Sequence, residues 1–414
     1  MGEPPPPRPE LPRLALLRDM TDRAVLDRVF ADGRATRADL ASQTGISKPT
    51  ISESVRRLEA AGLLLATGSD QTGRRGRIAT VYQLAPEAGY VLAVQVNQHG
   101  VHALAATLTG ATLDERQHRP VRPGDPGALA DALRDTVRAV AAASAGHGSP
   151  RAVAVSVANP VDPITREVIP LPGSPFPEGH IPVAEIVSAA LVAHGPAVGQ
   201  VPLLVDNDVN FSALAERRAG AVIGAESFVY VYLGAGLGMS LYLGGQLVRG
   251  AHGLAGEIGY LDAVPGVPGV PGVPGVAGVA GAAGAPTRLA AALAARGFGR
   301  SESPALDVEV ILATLDRAGA GDERAAEVVA ELAAMIAGVV AATCTIVDPD
   351  VVLLGGPLGT HPGLLEPIRA SVARTALAPV RIHPGALTDA APLRGALLSA
   401  LDTARARVLP PTTP

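Results

Sequence analysis

The 414-residue sequence contains a single cysteine, Cys344, and no tryptophan. One cysteine excludes an internal disulfide framework and any zinc or iron–sulfur site built from several cysteines. Aromatic residues make up only 3% of the chain, whereas apolar residues make up 48% and charged residues 18%. This balance is typical of a globular protein with an aliphatic core, and it argues against a disordered chain.

Long uninterrupted apolar runs are scarce as well. The most evenly apolar stretch, residues 332–347, is shorter than the roughly 20 residues that a membrane-spanning helix needs. The first residues lack both the basic start and the apolar core of a signal peptide. The sequence therefore predicts a cytoplasmic protein without a membrane segment, and its length predicts two to four domains.

Charge is distributed unevenly along the chain. Residues 1–85 carry 13 Lys and Arg against 10 Asp and Glu, whereas the remainder carries 21 against 29. A mildly basic head on an acidic body predicts that an anionic partner binds near the N-terminus.

Residues 14–85 have the pattern of a small helical unit with a hairpin. Residues 1–13 before it form a proline-rich tail whose composition predicts disorder. Apolar residues recur at helical spacing in three short segments, and Thr36 and Ser47 are placed to cap the second and third helices. Two strand-like segments follow, joined by a glycine-rich loop. The order predicts a winged helix-turn-helix.

The rest of the chain alternates strands and helices, as an α/β domain does. We predict an N-terminal lobe at 89–200 and a C-terminal lobe at 201–408. Inside the second lobe, residues 264–285 repeat Val-Pro-Gly and then Val-Ala-Gly, with glycine at every third position. The period is that of collagen, but a short, uncharged array inside a globular domain favours a flexible surface loop.

The third predicted helix exposes phosphate donors and side chains that can read base edges in the major groove. Three more arginines in the glycine-flanked loop can reach phosphates or a narrow minor groove. A generic three-helix unit with solvated arginines would show the same helix spacing, but helix, hairpin and arginine tip together favour DNA. The predicted DNA-binding residues are Ser47, Lys48, Thr50, Ser52, Glu53, Arg56, Arg57, Arg74, Arg75 and Arg77.

Several ordered motifs resemble the ROK family, which contains repressors, open reading frames and sugar kinases. The matching segments are 47–62, 73–77, 205–210, 233–238, 250–259 and 348–356. The resemblance spans residues 14–405. It implies an α/β fold in which a two-lobed, actin-like sugar kinase body follows a winged helix-turn-helix.

The resemblance also implies where a kinase would hold ATP. The family's kinases place an Asp-x-Gly-Gly-Thr turn after the first strand, where glycine amides wrap the phosphates. Here the corresponding stretch is 94–100, which has neutral Gln95 in place of the acid and polar residues in place of the glycines. Phosphoryl transfer depends on positioning metal and phosphates. We therefore predict no kinase activity and no ATP cofactor.

Three residues match family positions that bind the sugar: Asn207, Asp208 and Glu257. Asp208 matches the general base of the kinases, although a binding protein can retain it for recognition alone. An Asx turn at a strand end is the structural alternative for Asn207 and Asp208. We predict these three residues as the ligand site, with no catalytic residue.

The family's zinc site is expected to be absent. Tyr260 stands where the family has a histidine, and residues 260–290 contain no Cys or His. Zinc needs about four nitrogen or sulfur ligands for a closed structural site. Gly234, Gly236 and Gly238 match a second phosphate-side turn, but a tight hairpin needs glycine in any case.

These observations predict a DNA-binding transcriptional regulator of carbohydrate metabolism. It would bind a palindromic operator as a homodimer or a dimer of dimers, and repression is the family's usual output. Its body would bind a sugar-like effector. Two alternatives remain open: an ATP-dependent sugar kinase with a DNA-binding head, and a ligand-blind DNA-binding dimer.

Overall fold

The computed structural model describes residues 14–70, 79–122, 124–171, 174, 176–192, 201–260 and 306–408. Three regions of the sequence analysis lie outside these residues. They are the proline-rich tail, the loop carrying Arg74, Arg75 and Arg77, and the repeat at 264–285.

The head, residues 14–85, contains three helices and a three-stranded sheet. Its elements are α1 (Leu14–Asp32), β1 (Arg34–Thr36), α2 (Arg37–Thr44), α3 (Lys48–Ala60), β2 (Leu64–Asp70) and β3 (Ala79–Leu84). Strand β3 lies between β1 and β2 and is antiparallel to both. This is the predicted winged helix-turn-helix.

Local sequence explains where the helices of the head begin and end. Thr36 caps α2 in a capping box, since its hydroxyl accepts from the Asp39 amide and the Asp39 carboxylate accepts from the Thr36 amide. Gly45 ends α2 at φ 69°, a left-handed conformation that favours glycine. The Ser47 hydroxyl accepts from the Thr50 amide at the start of α3. The predicted caps at Thr36 and Ser47 are confirmed.

The first sheet of the body has the order β6-β5-β4-β7-β8. Strands β4, β7 and β8 are parallel, whereas β5 and β6 are antiparallel to their neighbours. The strands are β4 (Tyr90–Asn97), β5 (Gly100–Thr107), β6 (Thr112–His118), β7 (Pro150–Val157) and β8 (Leu203–Asn207).

The lobe boundary predicted at 200 and 201 is wrong. Strand β8 begins after that boundary but pairs with β7 in the first sheet. Sequence alternation marks strands and helices, but it does not show which sheet a strand joins. The N-terminal lobe therefore extends through Asn207.

The second sheet, in the C-terminal lobe, has the order β11-β10-β9-β12-β13. Its strands are β9 (Phe228–Leu233), β10 (Leu237–Leu243), β11 (Gln246–Val248), β12 (Val351–Gly355) and β13 (Ile382–Pro384). Strand β12 is parallel to β9 and β13, and the others are antiparallel.

Helices cover both sheets. They are α4 (Pro126–Ala143), α5 (Val183–Val192), α6 (Asp208–Ala219), α7 (Val308–Gly319), α8 (Glu323–Val347), α9 (Gly356–Gly359), α10 (Pro362–Thr375) and α11 (Ala391–Arg407). Among the described helices, α8 alone is long and apolar enough to cross a membrane. One side of it, including Leu332, Ile336 and Val340, is buried in the core beside the second sheet, as in a core helix of a soluble protein.

Helix α11 returns from the C-terminal lobe to the N-terminal one. It packs against α6 and against strands β4 and β7 of the first sheet. Gly395 allows the close approach, because a Cβ there would overlap the carbonyl oxygen of Phe211 on α6. One hydrophobic cluster joins residues of α11 and the first sheet to the core of the head.

Candidate functional site

The outer face of α3 carries most of the predicted DNA-binding residues. Ile51, Val55 and Leu58 on the opposite face are buried in the head. The burial pattern leaves exposed Ser47, Lys48, Thr50, Glu53 and Arg56, with Ser52 half-buried. The helix thus presents hydroxyls and Lys48 at its N-terminal end, which enters the major groove in helix-turn-helix proteins, and Arg56 further along the helix.

Both arginines of α3 already have partners within the head. Arg57 binds Asp22 of α1, with its Nη2 at 2.6 Å from Oδ1 and its Nε at 3.1 Å from Oδ2. Asp22 also accepts from the buried hydroxyl of Ser54. The Arg56 guanidinium pairs with Glu53 at 2.7 Å on the exposed surface. The Asp22 carboxylate orients Arg57 toward α1, whereas the exposed Arg56 pair can rearrange to meet DNA.

The candidate ligand cleft is the region at the carboxyl ends of the parallel strands β4, β7 and β8, where α/β proteins commonly bind ligands. Asn207 ends β8, and its Oδ1 accepts from the Val209 amide at 2.9 Å, which caps α6. Asp208 is in the first turn of α6 and is partly buried. The Asx turn that is the structural alternative for Asn207 is therefore present. Its geometry leaves the Asn207 amide nitrogen available to a ligand.

Glu257 reaches the same cleft from the C-terminal lobe. The segment before it runs beside β10, where the Met239 amide donates to the Gly256 carbonyl at 3.0 Å. Gly256 has φ 93°, and a Cβ there would overlap the Met239 carbonyl, so only glycine fits. Asp208 and Glu257 are close enough for each charge to matter, since Glu257 contributes to the raised pKa of Asp208.

A third carboxyl group in the cleft, Glu178, was missed by the sequence analysis. It lies in a short 3-10 helix, Pro177–His180, and its side chain is 0% exposed. Its Oε1 accepts from the Ala158 amide, just beyond β7, at 3.1 Å. A lone acid in the proline-rich stretch Phe-Pro-Glu-Gly was the available signal, but nothing in that pattern shows that the side chain points inward.

The three carboxyl groups all have strongly raised pKa values. Burial raises the pKa of Glu178 and that of Glu257 to about 7. Burial also raises the pKa of Asp208 to about 7, and the negative charges of Glu178 and then Glu257 add to that shift. Near pH 7 each of the three carboxyl groups is therefore partly protonated. A ligand that donates hydrogen bonds or carries positive charge would stabilise their ionised form.

The two lobes meet tightly around this cleft. Asp206, at the end of β8, binds Arg249 of the C-terminal lobe with an oxygen–nitrogen distance of 2.6 Å. Gly253 lies directly against the Val161 carbonyl, where a Cβ would overlap it. The Phe176 ring lies beside Gly236 in the turn between β9 and β10. These contacts involve residues within a few positions of Asp208, Glu178 and Glu257 in the sequence.

The turn between β4 and β5 is held by one of its own side chains. The Asn97 side chain accepts from the His99 amide at 2.9 Å and so occupies that backbone donor. The turn ends at Gly100, whose φ of 132° and close approach to the His118 carbonyl require glycine. In the second turn, Gly236 and Gly238 lie against Phe176 and Val209, so packing accounts for both.

The zinc position expected from the family is described only as far as Tyr260. Tyr260 follows the Glu257 segment and offers a phenol in place of the family's histidine. Within the described residues, no three His, Cys, Asp or Glu side chains are grouped as metal ligands would be. Residues 261–305, where further ligands would lie, are outside the description.

Comparison with known proteins agrees with this architecture. The ROK family model matches residues 93–403, and a winged helix-turn-helix DNA-binding model matches residues 18–64. A crystal structure of a ROK family transcriptional regulator, a homolog of the E. coli MLC protein, superimposes with a TM-score of 0.66 at 19% identity. That match covers 94% of this chain and 98% of the other.

Curated relatives include both a repressor and an enzyme. The xylose repressor of Bacillus subtilis is 22% identical over 247 residues, which is 59% of this chain and 61% of the repressor. The bifunctional enzyme NanE/NanK of Brucella suis is 28% identical over 178 residues, or 43% of this chain. The match spans 30% of that enzyme's length. With the family model covering most of its length and a winged helix-turn-helix ahead of it, the chain belongs to the ROK family.

Proposed function

We propose that this chain is a DNA-binding transcriptional regulator, acting in the cytoplasm, whose kinase-like body binds a small hydroxylated effector. The observation that carries the proposal is the exposed polar face of α3. The opposite face of this helix is buried in the core of the head. The similarity of the chain to a xylose repressor supports repression of genes of carbohydrate metabolism.

The operator would be palindromic and the protein a dimer. Helix-turn-helix dimers bind two half-sites about one helical turn, or roughly 34 Å, apart. An effector in the cleft would favour one arrangement of two heads through its different affinity for the two states. Helix α6 carries Asp208 at its start and packs on α11, which reaches the head, so the cleft and α3 are joined by packed elements.

The test is fluorescence anisotropy of the purified chain with DNA from upstream of its own gene, across a salt series. We expect tight binding that weakens steeply with salt, because lysine and arginine contacts to phosphates release counterions. Arg56→Ala should change base preference and weaken specific binding by about 1–3 kcal/mol. Arg374→Ala, which removes an exposed arginine of the C-terminal lobe, is the matched control and should bind like wild type.

The predicted minor-groove arginines supply a second arm of the same experiment. Arg75→Ala should weaken binding to all sequences and reduce the salt slope by about one. Unchanged affinity and slope in both Arg56→Ala and Arg75→Ala would contradict the assignment of the head to DNA.

We infer that the body does not transfer phosphoryl groups, because the β4–β5 turn uses Asn97 to occupy the amide that a phosphate would need. One observation favours the alternative of a sugar kinase: Asp208 has a pKa near 7, which suits a general base. A coupled assay for ADP release across a panel of hexoses distinguishes the two. Turnover that Asp208→Asn abolishes would establish the kinase, and no turnover would support the regulator.

A further inference from the structure

Two buried acceptor oxygens near the end of β7, together with the Ser156 hydroxyl on that strand, have no hydrogen-bond partner within the described residues. One is Oε2 of Glu178, whose other oxygen accepts from the Ala158 amide. The second is Oδ1 of Asn159, a side chain that is 1% exposed. Its amide nitrogen donates to the Ile169 carbonyl at 3.3 Å, which fixes the oxygen as the free atom. Unpaired buried acceptors are costly, so a donor is expected there.

The same edge of the sheet carries Asp208. Strands β7 and β8 are parallel with Val157 opposite Asn207, and Ala158 and Asp208 each follow the last paired residue of their strand. Adjacent strands lie about 4.8 Å apart. Glu178, which binds the Ala158 amide, is close enough for its charge to act on Asp208, and it acts more strongly than the charge of Glu257 does.

The chemistry of this group calls for a donor without acceptors. A hydroxyl offers one hydrogen-bond donor but also carries acceptor lone pairs. An ammonium offers three donors and has no acceptor. Positive charge also offsets the repulsion among Glu178, Asp208 and Glu257. Arg249 reaches the end of β8 from the C-terminal lobe, but it is already bound to Asp206.

We propose that the cleft selects a cationic, hydroxylated small molecule of the amino-sugar class. Its ammonium binds Glu178, Asn159 and Asp208, while its hydroxyls bind Asn207 and Glu257. The inference rests on the proposed function, in which this cleft holds the effector. A neutral analogue would leave the inner acceptors unpaired, and such a site discriminates strongly against it.

The test compares ligands that differ at a single substituent. Isothermal titration and thermal shift at pH 7.5 would use glucosamine, glucose and N-acetylglucosamine, and the corresponding mannose and galactose series. We expect at least one amine to raise the melting temperature and to bind roughly tenfold or more tightly than both of its neutral counterparts. Glu178→Gln should remove most of that preference, because its amide replaces an acceptor with a donor.

Glu257→Gln is the comparison variant, since Glu257 binds hydroxyls in this proposal. It should weaken the amine and the neutral sugars, and it should lower the amine preference far less than Glu178→Gln does. Circular dichroism of each unliganded variant establishes that it is folded before titration. An amine preference that Glu178→Gln removes and Glu257→Gln retains would support the inference.

Three results would overturn it: neutral sugars binding as tightly as the amines, an amine preference that survives Glu178→Gln, or no binding across the panel. DNA binding by the wild-type chain is measured separately. Operator binding without amine selectivity would reject this inference and leave the regulator standing. Amine selectivity without DNA binding would support the inference and reject the regulator.

Discussion

Glu178 is a buried acidic side chain, and its burial links the stability of the fold to pH. Its carboxyl group is held in place by one backbone amide and is otherwise surrounded by protein. Burial opposes ionisation, so its pKa rises to about 7. The free chain would ionise the same group near its ordinary value of 4.5. Folding therefore becomes linked to pH at this residue.

The linkage predicts the effect of Glu178→Gln on stability. Because the folded-state pKa is raised, the stabilising contribution is complete below about pH 4.5 and is lost as pH rises through 7. Glu178→Gln removes the ionisation, so between pH 5 and 8 its free energy of unfolding should fall less than that of wild type. The difference should reach on the order of 3 kcal/mol above pH 8.

Urea unfolding at pH 5 and pH 8 measures this difference. Asp208 and Glu257 face Glu178 and titrate in the same range, so part of the pH dependence will remain in the variant. Glu309→Gln, at an exposed position on α7, should retain the wild-type profile. If the free energy of unfolding changed equally with pH in wild type and Glu178→Gln, Glu178 would not be a buried acid with a raised pKa.

At the scale of elements, the contact between α1 and α11 connects head and body. Arg23 of α1 donates to the carbonyl oxygens of Arg405 and Ala406 at the end of α11, where a cation also meets the negative end of the helix dipole. Arg405 places its guanidinium 5.1 Å from the centre of the Phe30 ring and donates to the Leu108 carbonyl at 2.9 Å. Each helix therefore contributes an arginine that binds the other.

Arg23→Ala should loosen the head without unfolding the body. Loss of charged hydrogen bonds should reduce the local stability of α1 and α3 by roughly 1–3 kcal/mol. Hydrogen exchange with mass spectrometry would detect this as faster exchange in those helices and little change in β4 and β7. Arg28→Ala is the matched control, since Arg28 binds Gln43 and Asp32 within the head. Equal effects of the two variants would argue against a specific joint between α1 and α11.

At the scale of the whole molecule, the C-terminal lobe is inserted into the N-terminal lobe. The chain leaves the first sheet at Asn207, and α11 later packs back onto its strands β4 and β7. Removing α11 should therefore expose the core of the first sheet and the base of the head together. Deleting residues 264–284, a stretch of similar length, and closing the gap with a short linker should leave the fold intact, because loop length costs little.

Circular dichroism and thermal unfolding would compare these two deletions. We expect the repeat deletion to unfold cooperatively within a few degrees of wild type. The chain without residues 391–408 should lose its cooperative transition. A repeat deletion that also abolished cooperative unfolding would show that the repeat packs as structure.

The sequence allowed the head to be predicted closely, because capping at Thr36 and Ser47 and the apolar spacing of α3 are local properties. The DNA-binding assignments remain predictions, and those at Arg74, Arg75 and Arg77 lie outside the described residues. The motif-based assignment of Asn207, Asp208 and Glu257 to a ligand site also remains a prediction. Sheet membership of β8 and the inward position of Glu178 could not be predicted, since both depend on contacts between segments far apart in sequence.

The return of α11 to the first sheet also bears on the order in which the molecule is assembled. Proteins are made from the N-terminus, and domains generally fold as they emerge from the ribosome. Here the DNA-binding head is synthesised before the body. The helix that packs against it, α11, follows about three hundred residues later. A nascent or interrupted chain would carry a head that lacks its support. The head can therefore pack against α11 only after α11 itself has been synthesised.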